Sequence, residues 1–134
     1  FLRGMEASVA NVFIVNVPSP GLIAETGNFD RTLEAVQYVD TCLGGIIEKI
    51  NAMNGIALIT ASHGNCEEMM DENGQPNRKS TANPVPIHLV GAGLEDVELR
   101  HDGSLCDIAP TVLGLMGITQ PAEMSGWDLI SGRY

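Results

Sequence analysis

The sequence predicts an α/β fold, a parallel-rich sheet with flanking helices. Two apolar runs, Val9–Val17 and Ile56–Ala61, are bounded by Pro, Gly or polar residues and read as buried strands. A long stripe of apolar residues at three- and four-residue steps separates them and reads as a helix. A third apolar run, Ile87–Val90, follows a Pro-containing entry. Strands alternating with helical patterns point to parallel strands in one sheet.

The elements follow in order. Val9–Val17 is stopped by Pro18 and Pro20. Thr26 or Asn28 can cap the next helix, about Asn28 to Met53, whose first turns hold Asp30 and Glu34, where the dipole favours anions. Its stripe runs through Leu33, Val36, Val39, Leu43, Ile46, Ile47 and Ile50, and Leu33, Val36, Leu43 and Ile47 are expected to pack on the sheet. Asn54-Gly55 closes it. After Ile56–Ala61 come a polar turn at Ser62–Asn65, a short helix at Cys66–Asp71 and a polar loop through Ser80. Leu94–Gly103 is a loop, Asp107–Met116 a helix ended by Gly117, and Pro121–Tyr134 has little regular pattern. The 134 residues suit one domain, 1–134, or the C-terminal portion of one, and the Phe1 start suggests a fragment, a processed product or a renumbered chain.

Composition narrows the partners. The net charge is −10, too acidic for a nucleic-acid face or an anionic membrane. No apolar stretch approaches the roughly 20 residues of a membrane span. Cys42, Cys66 and Cys106 are odd in number and widely spaced, which suits a reducing cytoplasm. A sheet lacking neighbouring strands has an exposed edge, so another protein chain or a homodimer is expected, with Trp127 and Met69-Met70 as candidate surfaces.

Four segments carry a resemblance. Thr60-Ala61-Ser62-His63-Gly64-Asn65 with Glu67, Val15-Asn16 through Asn28, Ser80–Pro86, and Leu105–Gly126 are similar to motifs of cofactor-independent phosphoglycerate mutases, of the alkaline phosphatase superfamily. The likeness spans about Val9 to Ile130 and identifies the C-terminal part of such an enzyme. It implies an alkaline-phosphatase-like fold and a site for two manganese ions. These would interconvert 2-phosphoglycerate and 3-phosphoglycerate, a step of glycolysis, through a transiently phosphorylated Ser. The family's N-terminal nucleophile segment and its substrate-positioning Arg and Lys groups have no counterpart in these 134 residues.

At the family's ligand positions the residues differ. Gly21 and Glu25 stand where the family has Asp and His, Ser62 where it has Asp, and Ser80 where it has His. Only His63 keeps the family residue, and Glu25 is a carboxylate able to replace an imidazole. Gly21, Glu25, Ser62, His63 and Ser80 are expected to meet at one end of the sheet. His88 and His101 read as structural or solvated. Ser104 and Ser125 have no evident base, and the pairs Glu67-Glu68 and Asp71-Glu72 read as a solvated helix end.

Two functions follow. One is a non-catalytic binding or scaffold module, with metal absent or weakly held by His63 and Glu25. The alternative is a fragment of an active manganese-dependent mutase that needs the rest of its chain and would meet phosphoglycerate only there.

Overall fold

The computed structural model describes residues 2–132. Phe1, on which the reading of the start rests, and the last two residues of the Pro121–Tyr134 tail lie outside the described residues. The chain divides into two compact units, Phe1–Ala92 and Gly93–Tyr134.

The first unit opens on α1, Leu2–Ala7, which has no apolar periodicity long enough to be read from sequence. Residues 9–17 then run as irregular chain, not as the expected buried strand. Val9 is 100% exposed and Ile14 95%. β-branched residues favour extended chain, but a strand exists only where its backbone pairs with a neighbour, and the one ladder among the described residues lies elsewhere.

α2, Ser19–Ala24, begins directly after the Pro18 stop. Pro20 sits in its first turn, where the missing N–H costs nothing and the fixed φ suits a helix. Ala24, fully buried, marks the face that meets α3, Phe29–Ala52. The Asn28 side chain accepts from the Arg31 N–H at 2.9 Å, and Thr32 donates its hydroxyl to the Asn28 carbonyl at 2.8 Å. The helix ends as its sequence directs: Asn54 takes φ 52° and the Gly55 N–H returns to the Ile50 carbonyl at 2.8 Å. The packing stripe is only partly realised. Leu43 and Ile47 are half-buried and the helix touches both strands, but Leu33 and Val36 are 47% and 40% exposed.

β1, Ile56–Thr60, and β2, Ile87–Gly91, form a two-stranded sheet. They are antiparallel, with Ile56 opposite Gly91 and Thr60 opposite Ile87, where the sequence had suggested parallel neighbours. The reason lies in the connection. Parallel strands need a crossover, usually a helix. Here the chain between them folds back on itself, with bridges Gly64–Thr81 and Met70–Pro76 nested inside the ladder. β1, β2 and everything between them are thus one long, irregular hairpin. Its tip is Asp71–Gln75: the Asp71 carboxylate accepts from the Asn73 and Gln75 N–H groups, and Gly74 takes φ 72°. The expected helix at Cys66–Asp71 is replaced by a hairpin arm, because Glu67 and Asp71 bond the opposite arm and the tip backbone.

The second unit is built around α4, Ile108–Leu115, preceded by a tight 3-10 turn, Leu105–Asp107. The helix runs close to the expected Asp107–Met116 and stops at Gly117, φ 67°. A bridge between Leu99 and Ile130 ties the returning tail to the start of the unit. Asp107, Pro110, Thr111, Gly126, Leu129 and Ile130 are its buried residues among those described.

Candidate functional site

The hairpin places two of the expected loops face to face. Thr60 pairs with Ile87 at one end of the ladder, and both arms continue from that end. The first arm carries Ser62 and His63, the second Ser80. They are joined one residue further on, where the Thr81 N–H donates to the Gly64 carbonyl at 2.8 Å. A Cβ at Gly64 would meet both the Thr81 hydroxyl and the Glu67 carboxylate, so a larger residue there would have to displace them. His63 is exposed, with Nδ1 3.0 Å from the Gly64 carbonyl oxygen. Ser62 and Ser80 are exposed as well.

Gly21 and Glu25 lie on α2 and its C-terminal cap, one turn apart, with the Glu25 N–H on the Gly21 carbonyl at 3.0 Å. The turn just after them approaches the same hairpin. At Gly27, φ 77°, a Cβ would lie 2.8 Å from Arg78 Nε and 2.9 Å from Pro76 Cβ. The geometry therefore brings Ser62, His63 and Ser80 onto facing arms and sets the α2 turn against the second arm. The donors present there do not suit a two-metal site. Among the described residues, no group of three or more His, Cys, Asp or Glu side chains gathers in a way that could hold a metal ion.

The most densely bonded group in this region belongs to the acidic run whose sequence pattern suggests a solvated helix end. The Glu67 carboxylate accepts from the Asn65 N–H at 2.6 Å, from the Asn83 amide at 3.1 Å, and from the Thr81 hydroxyl. The Thr81 hydroxyl, with the Asn65 and Asn83 donors, holds the Glu67 carboxyl well below the usual carboxylate range, at about 2. Burial, with the Glu67 charge beside it, pushes the Cys66 thiol up, so this thiol is not an activated nucleophile. Glu68 adds longer contacts to Asn83 at 3.2 Å and Asn77 at 3.4 Å. A signal for this group was present: Glu67, Thr81 and Asn83 all lie inside the segments that carried the resemblance.

In the second unit the polar hub is Asp107, 6% exposed. Burial alone would raise its carboxyl, yet it is lowered, because the Trp127 N–H (2.8 Å), the Ser104 N–H (2.7 Å) and the Ser104 hydroxyl (3.0 Å) all donate to it. This is a capping arrangement that ties the tail to the helix start. Thr111 extends it, donating to the Asp107 carbonyl at 2.7 Å and accepting from the Leu129 N–H at 2.9 Å.

Comparison with known proteins bears on both units. The 2,3-bisphosphoglycerate-independent phosphoglycerate mutase of Gloeobacter violaceus is 44% identical over 136 positions, covering 96% of this chain and 25% of that protein. The enzyme of the same name from a Cyanothece species is 43% identical, covering 96% and 26%. A crystal structure of Leishmania mexicana phosphoglycerate mutase at low cobalt concentration superimposes with a TM-score of 0.83 at 28% identity, covering 96% of this chain and 26% of its own. The α/β, alkaline-phosphatase-like class expected from the sequence therefore holds. The chain spans about a quarter of the length of the curated relatives it matches. A profile of the Metalloenzyme superfamily matches residues 1–120, and with both hairpin and α4 inside that span, the chain belongs to this superfamily.

Proposed function

We propose that this chain is a non-catalytic binding or scaffold module on the phosphoglycerate mutase fold. The observation that carries this reading is the set of residues at the expected ligand positions: Ser62 and Ser80 on the facing arms offer hydroxyls, and Gly21 on α2 offers nothing. Divalent cations of this class are held by carboxylate oxygens and imidazole nitrogens. Two such ions repel each other strongly, so holding both takes several negative groups. His63 and Glu25 are what remain, and the Glu67 carboxylate is already engaged with Thr81, Asn65 and Asn83. Manganese is accordingly at most weakly bound. The acidic surface argues against nucleic-acid and membrane partners and leaves a protein chain or a second copy as the partner. The free thiols of Cys42, Cys66 and Cys106 agree with a cytoplasmic setting.

The test is calorimetric titration of the 134-residue chain with manganese, beside a phosphoglycerate mutase assay. Heat from at most one weak site and no turnover are expected. Two stoichiometric ions at micromolar concentration, or turnover by this chain alone, would overturn the reading.

The second reading is part of an active manganese-dependent mutase of glycolysis, and the quarter-length match to the curated enzymes favours it. Mixing this chain with the remaining three quarters of the Gloeobacter violaceus enzyme separates the two. Manganese-dependent activity in the mixture would support the second.

A further inference from the structure

Between the Gly64–Thr81 and Met70–Pro76 bridges, the hairpin arms lack a regular ladder. Side chains span that gap. The Glu67 oxygens divide their work: Oε1 accepts from the Thr81 hydroxyl and the Asn83 amide, Oε2 from the Asn65 N–H on its own arm. Thr81 Oγ1 also accepts from the Asn83 N–H at 3.3 Å, which closes a ring of bonds among Glu67, Thr81 and Asn83. Asn65, 8% exposed, adds a strut from its amide to the Lys79 carbonyl at 3.3 Å. Three of the roughly four acceptor positions of the carboxylate are filled, so it has little capacity left for a ligand.

We infer that Glu67 is the positioning residue of this hairpin, its carboxylate holding the arm of Ser62 and His63 in register with the arm of Ser80. The inference rests on the proposed reading of those arms as the site. His63 directly precedes Gly64, and Ser80 directly precedes Thr81. Whatever fixes Gly64 against Thr81 therefore fixes the spacing of His63 and Ser80. The absence of a Cβ at Gly64 is what lets Thr81 and Glu67 come together above it. The low carboxyl pKa is in keeping with a group whose bonds favour its charged form.

The test is amide hydrogen exchange on the whole chain for wild type, Glu67→Gln, Thr81→Val, Thr81→Ser and the Glu67→Gln/Thr81→Val double variant. Hydrogen bonds to charged groups are strong enough that losing one should open the local structure about tenfold or more. Glu67→Gln and Thr81→Val should each raise exchange by that factor at both 62–66 and 79–83. The double variant should add little to either. Thr81→Ser, which keeps the hydroxyl, should exchange like wild type. Amides of β1, β2 and α3 should stay protected throughout. The inference is overturned by unchanged exchange, by a rise confined to the first arm, by additive effects, by failure of the Ser variant to rescue, or by uniform loss of protection. None of these readouts involves metal, so a failure here is distinct from a manganese titration that contradicts the proposed function.

Discussion

A carboxylate does different work at Glu67 and at Asp107, and burial decides which. Glu67 is exposed, and its low pKa comes first from the Thr81 hydroxyl on the facing arm, with further donors on both arms. Its folded value, about 2, lies below the ordinary 4.5, so its contribution is complete above about pH 4.5 and is lost as pH falls toward 2. Solvent screens so exposed a group. The expected signature is thus local: protection of 62–66 and 79–83 should fall over that window, followed by hydrogen exchange, before the helices unfold. Asp107 is buried and receives the Trp127 and Ser104 N–H groups. Removing it strands both donors, so Asp107→Ala should cost roughly 2–3 kcal/mol in denaturant unfolding, and Asp107→Asn, which keeps one acceptor oxygen, less.

At the scale of elements, the segment 9–17 and the hairpin show what pairing does. Both contain apolar, β-branched chain. Residues 56–60 find a partner in 87–91 and become strands. Residues 9–17 form no strand and leave Val9, Val12, Ile14, Val15 and Val17 in solvent. Exposed runs of this composition template pairing between chains. Ile14→Lys should therefore reduce concentration-dependent self-association in sedimentation velocity while leaving the thermal transition unchanged, since Ile14 buries almost nothing. Unchanged self-association would mean that another surface mediates it, the exposed Trp127 being one alternative.

At the scale of the whole molecule, the likeness to phosphoglycerate mutases covers nearly all of this chain and a quarter of theirs. On the proposed reading, the scaffold around the loops is retained while the ligand positions differ. If substitution alone separates this chain from a metal-binding one, restoring Gly21→Asp, Glu25→His, Ser62→Asp and Ser80→His should create manganese binding measurable by calorimetry. Turnover should not return if, as the resemblance implies, the nucleophile belongs to a segment with no counterpart among these residues, since without it the covalent route is closed. Binding in the restored chain should also raise its melting temperature with manganese concentration, as mass action requires.

The sequence by itself determined what depends on neighbours along the chain. Helix α3 and its Asn28 cap, the Asn54-Gly55 stop, α4 and its Gly117 end, and the extents of β1 and β2 all follow from local periodicity, capping and turn chemistry. So does the resemblance, whose motifs are contiguous. The tertiary structure alone decided what depends on partners far apart in sequence. Strand direction was one such matter, because the 61–86 excursion doubles back instead of crossing over. The irregular state of 9–17 was another, because periodicity reports a propensity for strand and not the presence of a neighbour. The role of Glu67 was a third: its sequence neighbours, Glu68 and Asp71, suggest a solvated charge run, while the donors that define it, Thr81 and Asn83, are 14 and 16 residues away. Local rules act through the backbone of a few residues, but a hydrogen bond across a hairpin exists only once the fold has brought its two ends together.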